Sequence, residues 1–489
     1  MKKLLSSFLL LFLLWGCTGQ LPEKRRFTFN ENGKFKIAQF TDIHWVHGAP
    51  TAARSVESIR AVLAAEKPDI AILTGDLVYR VPDREPWTEL IAIFEETKTP
   101  FAVTLGNHDG EANTKITRSE IFDILLRSPY FVGEKGPEDI FGTGNHVIPV
   151  YDRNNKTAAA LYCFDSNAYS TNPKISGYDA IHFDQIAWYR RESDKYASDN
   201  NGKPLPSLAF FHIPLPEYFQ VIDVPSFIGI HRENPAPPKY NSGLFYSFLE
   251  QQDVMGVFVG HEHINDYIGI LENIALAYGR VSGWEAYGNL ERGARIIELY
   301  ENEFVFDTWI CTPLGIEQIF NYPTGISNVD EETMTYLPAL DVNPTEQGVS
   351  YKYYEGRFRS VENIDTTKKV SEGIMKNISI LEAQAEDYFA YEFRCLIRIP
   401  ERNVYSFYTI SDDDSQIYID NRLVVNKNWS PIGLLNGKVA LEAGFHELKV
   451  LFYEDTAGQF LEVGYAGRNI RSRKLPDEIL FVPDGRYTK

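Results

Sequence analysis

The side chains of this chain best suited to chemistry fall in short blocks, each following an apolar run. Asp42-Ile43-His44, Gly75-Asp76, Gly106-Asn107-His108-Asp109, Phe211-His212 and Gly260-His261-Glu262-His263 are the blocks. Carboxylate, amide oxygen and imidazole, without thiolate, make a ligand set for Zn, Mn or Fe rather than for a structural zinc–cysteine site. Alone, each block says little. Asp-x-His recurs by chance, Gly-Asp often marks a turn, and Asn-His-Asp can cap a helix. His261 and His263 say more, because residues i and i+2 after a strand project the same way. Together the donors exceed one tetrahedral shell, so two ions sharing Asp76 are the economical arrangement. Such a pair, about 3.5–4 Å apart, lowers the pKa of a bound water and holds an in-line displacement at phosphorus.

Something must carry these blocks to one place. Lys36–Phe40, Asp69–Leu73 and Phe101–Leu105 read as strands, separated by helical patterns over Ala52–Glu66 and Trp87–Glu96. That alternation indicates βαβ units. Further strands are expected at Ala158–Phe164, Leu208–Phe211, Val254–Val259 and Ile274–Tyr278, with helices at Phe183–Glu192 and Leu244–Gln251. A hairpin is expected from Arg295–Tyr300 and Phe304–Trp309. The blocks sit at strand ends, where α/β sheets build their sites.

The chain has 489 residues, 44% hydrophobic and 24% charged, with a formal net charge of −19. The length predicts two or three domains, and the composition excludes wholesale disorder. The acidic balance excludes the extended basic track that a nucleic-acid polymer needs, so no such partner is expected. One small phosphate is not excluded, since two metal ions make a local positive well.

The five blocks, in this order, resemble the motif set of calcineurin-like metallophosphoesterases over about residues 27–312. The resemblance implies an α/β fold, a four-layer αββα sandwich. It implies one ion held by Asp42, His44, Asp76 and His263, and a second by Asp76, Asn107, His212 and His261. It also implies that His108 contacts phosphate or protonates the leaving group, with Asp109 orienting it. Tyr162–Ser166, Gly177–Tyr189, Phe211–Pro214, Gly260–Tyr267 and Tyr278–Leu299 are similar to the purple-acid-phosphatase-like branch. True purple acid phosphatases place Gly at the third position of the first block and recruit a Tyr that gives the Fe(III) colour. Here His44 holds that position, while Tyr79 stands at the matching spacing; His44 is read as ligand and Tyr79 as structural. His47, Arg232, Tyr240, Arg280 and Arg292 lie in or near loops that could reach the crevice, and the loop Leu215–Tyr240 is a candidate substrate wall.

The two ends of the chain add further expectations. Lys2 and Lys3, a short apolar run and Gly16-Cys17 resemble a bacterial lipoprotein signal. Residues 1–16 would be removed and Cys17 lipidated, anchoring an exported protein to a membrane facing the periplasm or cell surface; an uncleaved anchor or plain signal is the alternative. Cys163 reads as a core residue, and no disulfide framework is expected. Residues 313–348 read as a linker. From 349 to 487, short strands with Tyr353-Tyr354-Glu355-Gly356 and Ser411-Asp412-Asp413-Asp414 resemble the PA14 domain, an all-β sandwich. In glycan-binding members adjacent aspartates hold Ca²⁺, which makes Asp412 and Asp413 a candidate site; the alternative is a solvated acidic turn.

The expected whole is an exported metal-dependent phosphoesterase acting on a phosphorylated small molecule or a glycan-linked substrate. A phosphomonoester is favoured, with metal-bound hydroxide as nucleophile. A phosphodiesterase acting on nucleotides or surface glycopolymers is the alternative. A reading of another class is a glycan-binding surface protein with a vestigial phosphoesterase core.

Overall fold

The computed structural model describes residues 25–80, 83–111, 115–224, 226–427, 433–467 and 470–483. Residues 1–16, expected as a signal, and Cys17 lie outside the described residues.

Period-two patterning sets the N-terminal architecture. Along the strand Lys34–Phe40, Phe35 and Ile37 enter one apolar cluster while Ala38 and Phe40 enter another. Ile70–Thr74 divides the same way, Ile70 and Ile72 against Ala71 and Leu73. A strand buried on both faces belongs in the middle of a layered domain. These strands lie in a six-stranded sheet, ordered Gly315–Tyr322, Phe306–Thr312, Ala294–Tyr300, Lys34–Phe40, Ile70–Thr74, Phe101–Thr104. A seven-stranded sheet runs Phe27–Thr28, His146–Tyr151, Thr157–Cys163, Ser207–Phe210, Val254–Val259, Ile274–Tyr278, Ile268–Leu271.

One cluster joins the two sheets face to face, with Phe35, Ile37, Ile72 and Phe306 meeting Ile148, Leu161, Phe210 and Phe258. Buried Gln39 stitches them further, donating to Thr74 Oγ1 at 2.9 Å and to the Val259 carbonyl at 3.0 Å. Helices Ala52–Glu66, Arg84–Glu96 and Arg118–Leu125 cover the outer face of the six-stranded sheet. Phe183–Asp199 and Leu244–Gln251 cover the other. The result is the four-layer αββα sandwich.

The segment 313–348, expected as a linker, instead supplies the edge strand Gly315–Tyr322 and the short helix Asn328–Thr333. The strand's first three residues are exposed, so it lacks the alternation that marks a strand in sequence. The chain then pairs with the second domain: Leu337 bridges Leu441, Leu340 bridges Phe445, and Lys438 Nζ bonds both carboxylate oxygens of Asp330 at 2.7 Å.

The C-terminal domain is an all-β sandwich. A sheet containing Val349–Glu355, Phe389–Ile399, Gly444–Glu454 and Asp414–Ile419 packs on a four-stranded sheet containing Gly433–Leu441, Asn403–Ser411 and Leu461–Gly467. Phe393, Ile397, Val450 and Phe452 meet Tyr405, Phe407 and Val463 in its core. Cys163, Cys311 and Cys395 are free and buried. Among the described residues no helix is long and apolar enough to cross a membrane.

Candidate functional site

The loops that leave the strand ends carry unusual backbone. Asp42, His44, Asp76 and His261 have φ of 51°, 49°, 51° and 83°. Non-glycine residues seldom adopt this left-handed region, and strain of this kind collects where surrounding structure enforces it at working sites. Neighbouring loops hold these in place: His44 N donates to the Asp76 carbonyl at 2.9 Å, and Asp42 N to the Gly75 carbonyl at 3.1 Å. Close approach requires glycine at two block positions. A Cβ on Gly75, whose φ is 80°, would fall 2.5 Å from the His212 ring, and one on Gly260 would fall 1.9 Å from Thr41 Oγ1.

Asp76 is the centre of the cluster. Its Oδ2 lies 3.1 Å from His212 Nε2, 3.7 Å from His44 Nε2 and 3.8 Å from His108 Nε2. Its Oδ1 accepts from the His108 backbone N–H at 2.8 Å, which draws the Asn107–His108 turn against it. Asp42 Oδ1 lies 3.3 Å from His263 Nε2, and His261 Nδ1 lies 3.2 Å from His212 Nε2. The ligand-type atoms of Asp42, His44 and His263 fall within 4.8 Å of one another, as do those of Asp76, His212 and His261. The structure thus brings together the residues singled out in the five blocks. His212 Nδ1 donates to the Thr74 carbonyl at 2.8 Å, which leaves Nε2 turned toward Asp76.

The cluster also fits a metal by what its buried atoms lack. His44 Nε2, Asn107 Oδ1 and His263 Nδ1 are buried without a hydrogen-bond partner. Buried polar atoms without partners are costly, and a bound ion is one way to satisfy them.

Charge is balanced tightly. Burial alone would raise the carboxyl pKa values of Asp42 and Asp76; His263 beside the first and His212 beside the second outweigh it and hold both below the ordinary range. Burial would lower His212, yet its contact with Asp76 pushes it up to about 10. Burial and the His212 charge take His261 down to about 3. Burial pushes Glu262 up to about 8.

Several expected roles differ. Asp109 does not orient His108. Its Oδ1 accepts from the N–H of Leu77 and Val78 at 2.9 and 3.0 Å, and its Oδ2 from Gly106 at 2.8 Å. It ties the Asp76 loop to the Asn107 loop, and burial and the Asp76 charge push its carboxyl up to about 6. The carboxylate beside His108 is Glu111, whose Oε1 stands 2.7 Å from Nδ1. Its spacing of three residues from His108 was a signal available in the sequence.

Arg280 and Arg292 do not reach the crevice. Buried Arg280 pairs with Asp266 at 2.6 Å and Glu317 at 2.9 Å. Buried Arg292 spends its donors on the carbonyls of Gly283, Leu290 and Ala286. His47 turns to Glu89, 2.8 Å away, with Glu85 at 3.9 Å. Arg232 bonds Asn289 at 3.1 Å, and Tyr240 is exposed. The loop Leu215–Tyr240 is anchored behind the last block: Glu233 accepts from Ile264 N at 2.9 Å, and Ala236 N donates to Glu262 at 2.9 Å.

Aromatic rings surround the histidines; Tyr79 was singled out in the sequence, Tyr178 and Tyr287 were not. Tyr79 lies between His44 and His108, at 4.8 and 5.0 Å between ring centroids. Tyr178 stands edge-on to His261 at 4.6 Å, and Tyr287 lies along His263 at 4.0 Å.

In the second domain Asp412 and Asp413 close a tight turn. Asp413 has φ 53°, and its Oδ2 accepts from Asp455 N at 2.7 Å. Glu454, unflagged in the sequence, joins them fully buried, with both oxygens lacking a hydrogen-bond partner. Burial, then Asp413 and Asp412, push its carboxyl up to about 8.

An αββα sandwich with a His, Asp and Asn cluster at its strand ends defines a metal-dependent phosphoesterase. The calcineurin-like phosphoesterase family profile matches residues 35–265, and the PA14 domain profile residues 345–478. The chain is 33% identical over 337 residues to "Probable inactive purple acid phosphatase 29" of Arabidopsis thaliana, covering 60% of this chain and 86% of that protein. It is 31% identical over 353 residues to "Phosphatase DCR2" of Saccharomyces cerevisiae, covering 63% and 59%. Among solved structures, a dimetal phosphatase from Danio rerio aligns at 11% identity and TM-score 0.41 over 59% of this chain and 98% of that one. This chain belongs to the calcineurin-like phosphoesterases, among relatives of purple-acid-phosphatase type, and carries a C-terminal PA14 domain. It is a hydrolase of phosphate esters, and its family implies divalent metal ions.

Proposed function

We propose that this chain hydrolyses phosphomonoesters outside the cytoplasm, at a centre of two Fe, Mn or Zn ions. Asp42, His44, Asp76 and His263 would hold one ion, and Asp76, Asn107, His212 and His261 the other. The observation that carries this reading is the pair of ligand triads meeting beside Asp76, with orphaned His44, Asn107 and His263 atoms buried among them. When bound, the ions supply Lewis acidity toward the phosphoryl oxygens and a nucleophile from water at neutral pH. The chain's own residues do the rest. His108, with 26% of its side chain exposed, is the cluster's imidazole most open to the crevice, and it delivers a proton to the departing oxygen. Glu111 Oε1 stands 2.7 Å from that ring's Nδ1, and Asp109 fixes the two loops on which Asp76, Asn107 and His108 ride.

Export with lipidation at Cys17 rests on the N-terminal residues alone. Binding of Ca²⁺ and a glycan at Asp412 and Asp413 is supported by the unpartnered Glu454 carboxylate beside them. The test is elemental analysis combined with turnover of aryl phosphomonoester and phosphodiester under Mn²⁺ and Zn²⁺. Monoester turnover that exceeds diester turnover and vanishes in Asp76→Asn supports the reading. Faster diester turnover favours the diesterase, and inactivity on a broad panel favours the vestigial core. Glycan-array binding lost with chelator and with Asp413→Ala supports the second site; binding insensitive to both removes it.

A further inference from the structure

Two of the residues assigned to one ion come from different sheets. Asn107 follows the strand Phe101–Thr104 of the six-stranded sheet, and His212 follows Ser207–Phe210 of the seven-stranded one. Metal bonds to nitrogen and oxygen are short, about 2.0–2.2 Å for zinc. The two strand ends must therefore keep their separation if both residues are to ligate.

A chain of contacts joins them. Arg118 opens the helix Arg118–Leu125, whose start is fixed by a reciprocal cap between Thr117 and Glu120. Its Nη1 donates to the Gly106 carbonyl at 2.8 Å and its Nη2 to the Leu105 carbonyl at 3.3 Å. The Gly106 carbonyl belongs to the peptide that carries the Asn107 N–H, so the guanidinium sets the plane from which Asn107 departs. Asp76 hems in the same peptide: a Cβ on Gly106 would fall 2.2 Å from Asp76 Oδ1. The His108–Gly110 turn also rests on Arg118, since a Cβ on Gly110 would fall 2.9 Å from Nη1. Nη2 meanwhile forms an ion pair with Asp165 Oδ1, just past the strand Thr157–Cys163 of the other sheet. Asp165 is buried and held in turn, its Oδ2 accepting from Thr143 N at 2.7 Å and its Oδ1 from Asn167 N at 2.9 Å. The next residue completes the span. Buried Ser166 Oγ accepts from the N–H of Ile213 at 3.0 Å and from that of His212 at 3.3 Å.

We propose that Arg118, Asp165 and Ser166 form a strut that positions Asn107 and His212, and so sets the affinity of the ion these two share. The inference rests on the two-ion reading, which assigns both residues to the same ion. The three are positioning residues: Arg118 acts through the Gly106–Asn107 peptide, Ser166 through the His212 N–H, and Asp165 joins them. Arginine suits the place because its planar fork bonds two carbonyls and a carboxylate at once, which the point charge of lysine does not. Other ties hold the residues assigned to the second ion. His44 N bonds the Asp76 carbonyl, Asp42 N the Gly75 carbonyl, and Thr41 Oγ1 donates to Asp42 Oδ2 at 2.8 Å. These bonds do not involve the strut. Loosening it should therefore weaken one ion and spare the other.

The test is a binding measurement, independent of turnover: calorimetric titration of Mn²⁺ into the metal-free full chain, resolving two binding events. Arg118→Lys keeps a cation for Asp165 but loses the fork. One event should weaken about tenfold or more, as is usual when a residue that orients a ligand is changed, and the other should not move. Asn107→Ala should weaken the same event, and adding Arg118→Lys to it should cost little further, because Arg118 acts through Asn107. A merely structural role would instead weaken both events, or add its full effect to that of Asn107→Ala. Ser166→Ala, a smaller change, should weaken the same event again, and it carries the test if Arg118→Lys does not fold. Unmoved affinities in either folded variant, equal weakening of both events, or an additive double variant would overturn the inference. A wild type that binds fewer than two ions would overturn the two-ion reading itself, and this inference with it.

Discussion

Metal loading should expel a proton from one identified imidazole. In the metal-free protein, burial pulls His212 down, but Asp76 Oδ2 at 3.1 Å pushes it up to about 10, so it is protonated at pH 7.5. His261, taken down to about 3, is already neutral there. A metal needs the neutral His212 ring, so its binding must release that proton. The distance from the ordinary value of 6.5 to about 10 corresponds to on the order of 5 kcal/mol. Because the folded value is raised, this stabilisation of the metal-free fold is complete below about pH 6.5 and is lost as pH rises through about 10. Affinity for the ion that His212 holds should therefore increase about tenfold per pH unit across that window.

Calorimetry of Mn²⁺ or Zn²⁺ binding at pH 7.5, in buffers of different ionisation enthalpy, counts the protons. The His212→Asn variant should release about one fewer than wild type; the difference cancels any proton lost by a bound water. Equal release by the two proteins, or wild-type affinity flat between pH 6.5 and 9, would refute the electrostatic account of the cluster.

Asp109→Ala strands the buried N–H groups of Leu77, Val78 and Gly106, at ~1–3 kcal/mol each. Removing a carboxyl that burial pushes up to about 6 offsets part of this, so the expected net loss is about 3 kcal/mol, read from denaturant unfolding at pH 7. Glu111→Gln should leave that stability unchanged and slow alkyl esters more than aryl esters, because only poor leaving groups need the His108 proton. Glu454, with its carboxyl raised to about 8, favours the fold below about pH 4.5 and ceases to as pH rises through 8. Ca²⁺ should therefore raise the unfolding midpoint of the C-terminal domain more at pH 8 than at pH 5, and Glu454→Gln should abolish the difference. Burial acts to lower His446, but its bonds to Asp420 at 2.6 Å and to the Glu442 carbonyl at 2.9 Å raise it. Its stabilisation is complete below about pH 6.5 and fades as pH rises past its raised value, so a midpoint–pH curve should flatten in His446→Gln.

What the sequence made legible was whatever depends on local pattern. The helix Ala52–Glu66 follows from Val56, Ile59, Val62 and Leu63, and it ends at Lys67 with φ 48°. The metal-type residues were legible because each follows an apolar strand. Roles set by distant backbone were not. Asp109 looked like a partner for its neighbour because the amides it binds, Leu77 and Val78, lie about thirty positions away. Arg280 and Arg292 stood near loops that could reach the crevice, and nothing in their spacing reveals the carbonyls and carboxylates that occupy them. The edge strand Gly315–Tyr322 went unread because solvent on one side removes the selection for apolar alternation. Tyr178 and Tyr287 sit in loops, where only the fold brings a ring beside a histidine.

The left-handed backbone at His44 has an evolutionary consequence. A position with φ 49° accepts glycine with less strain than histidine, so exchanging the two there asks nothing of the main chain. The ring of Tyr79 stands 4.8 Å from that of His44, next in line for the space an imidazole would vacate. Exchanging His44 for Gly would thus leave the main chain as it is and open that space to the Tyr79 ring. His44→Gly, loaded with iron, should acquire a visible charge-transfer band; a colourless iron-loaded variant would mean that the crossing needs more than one residue.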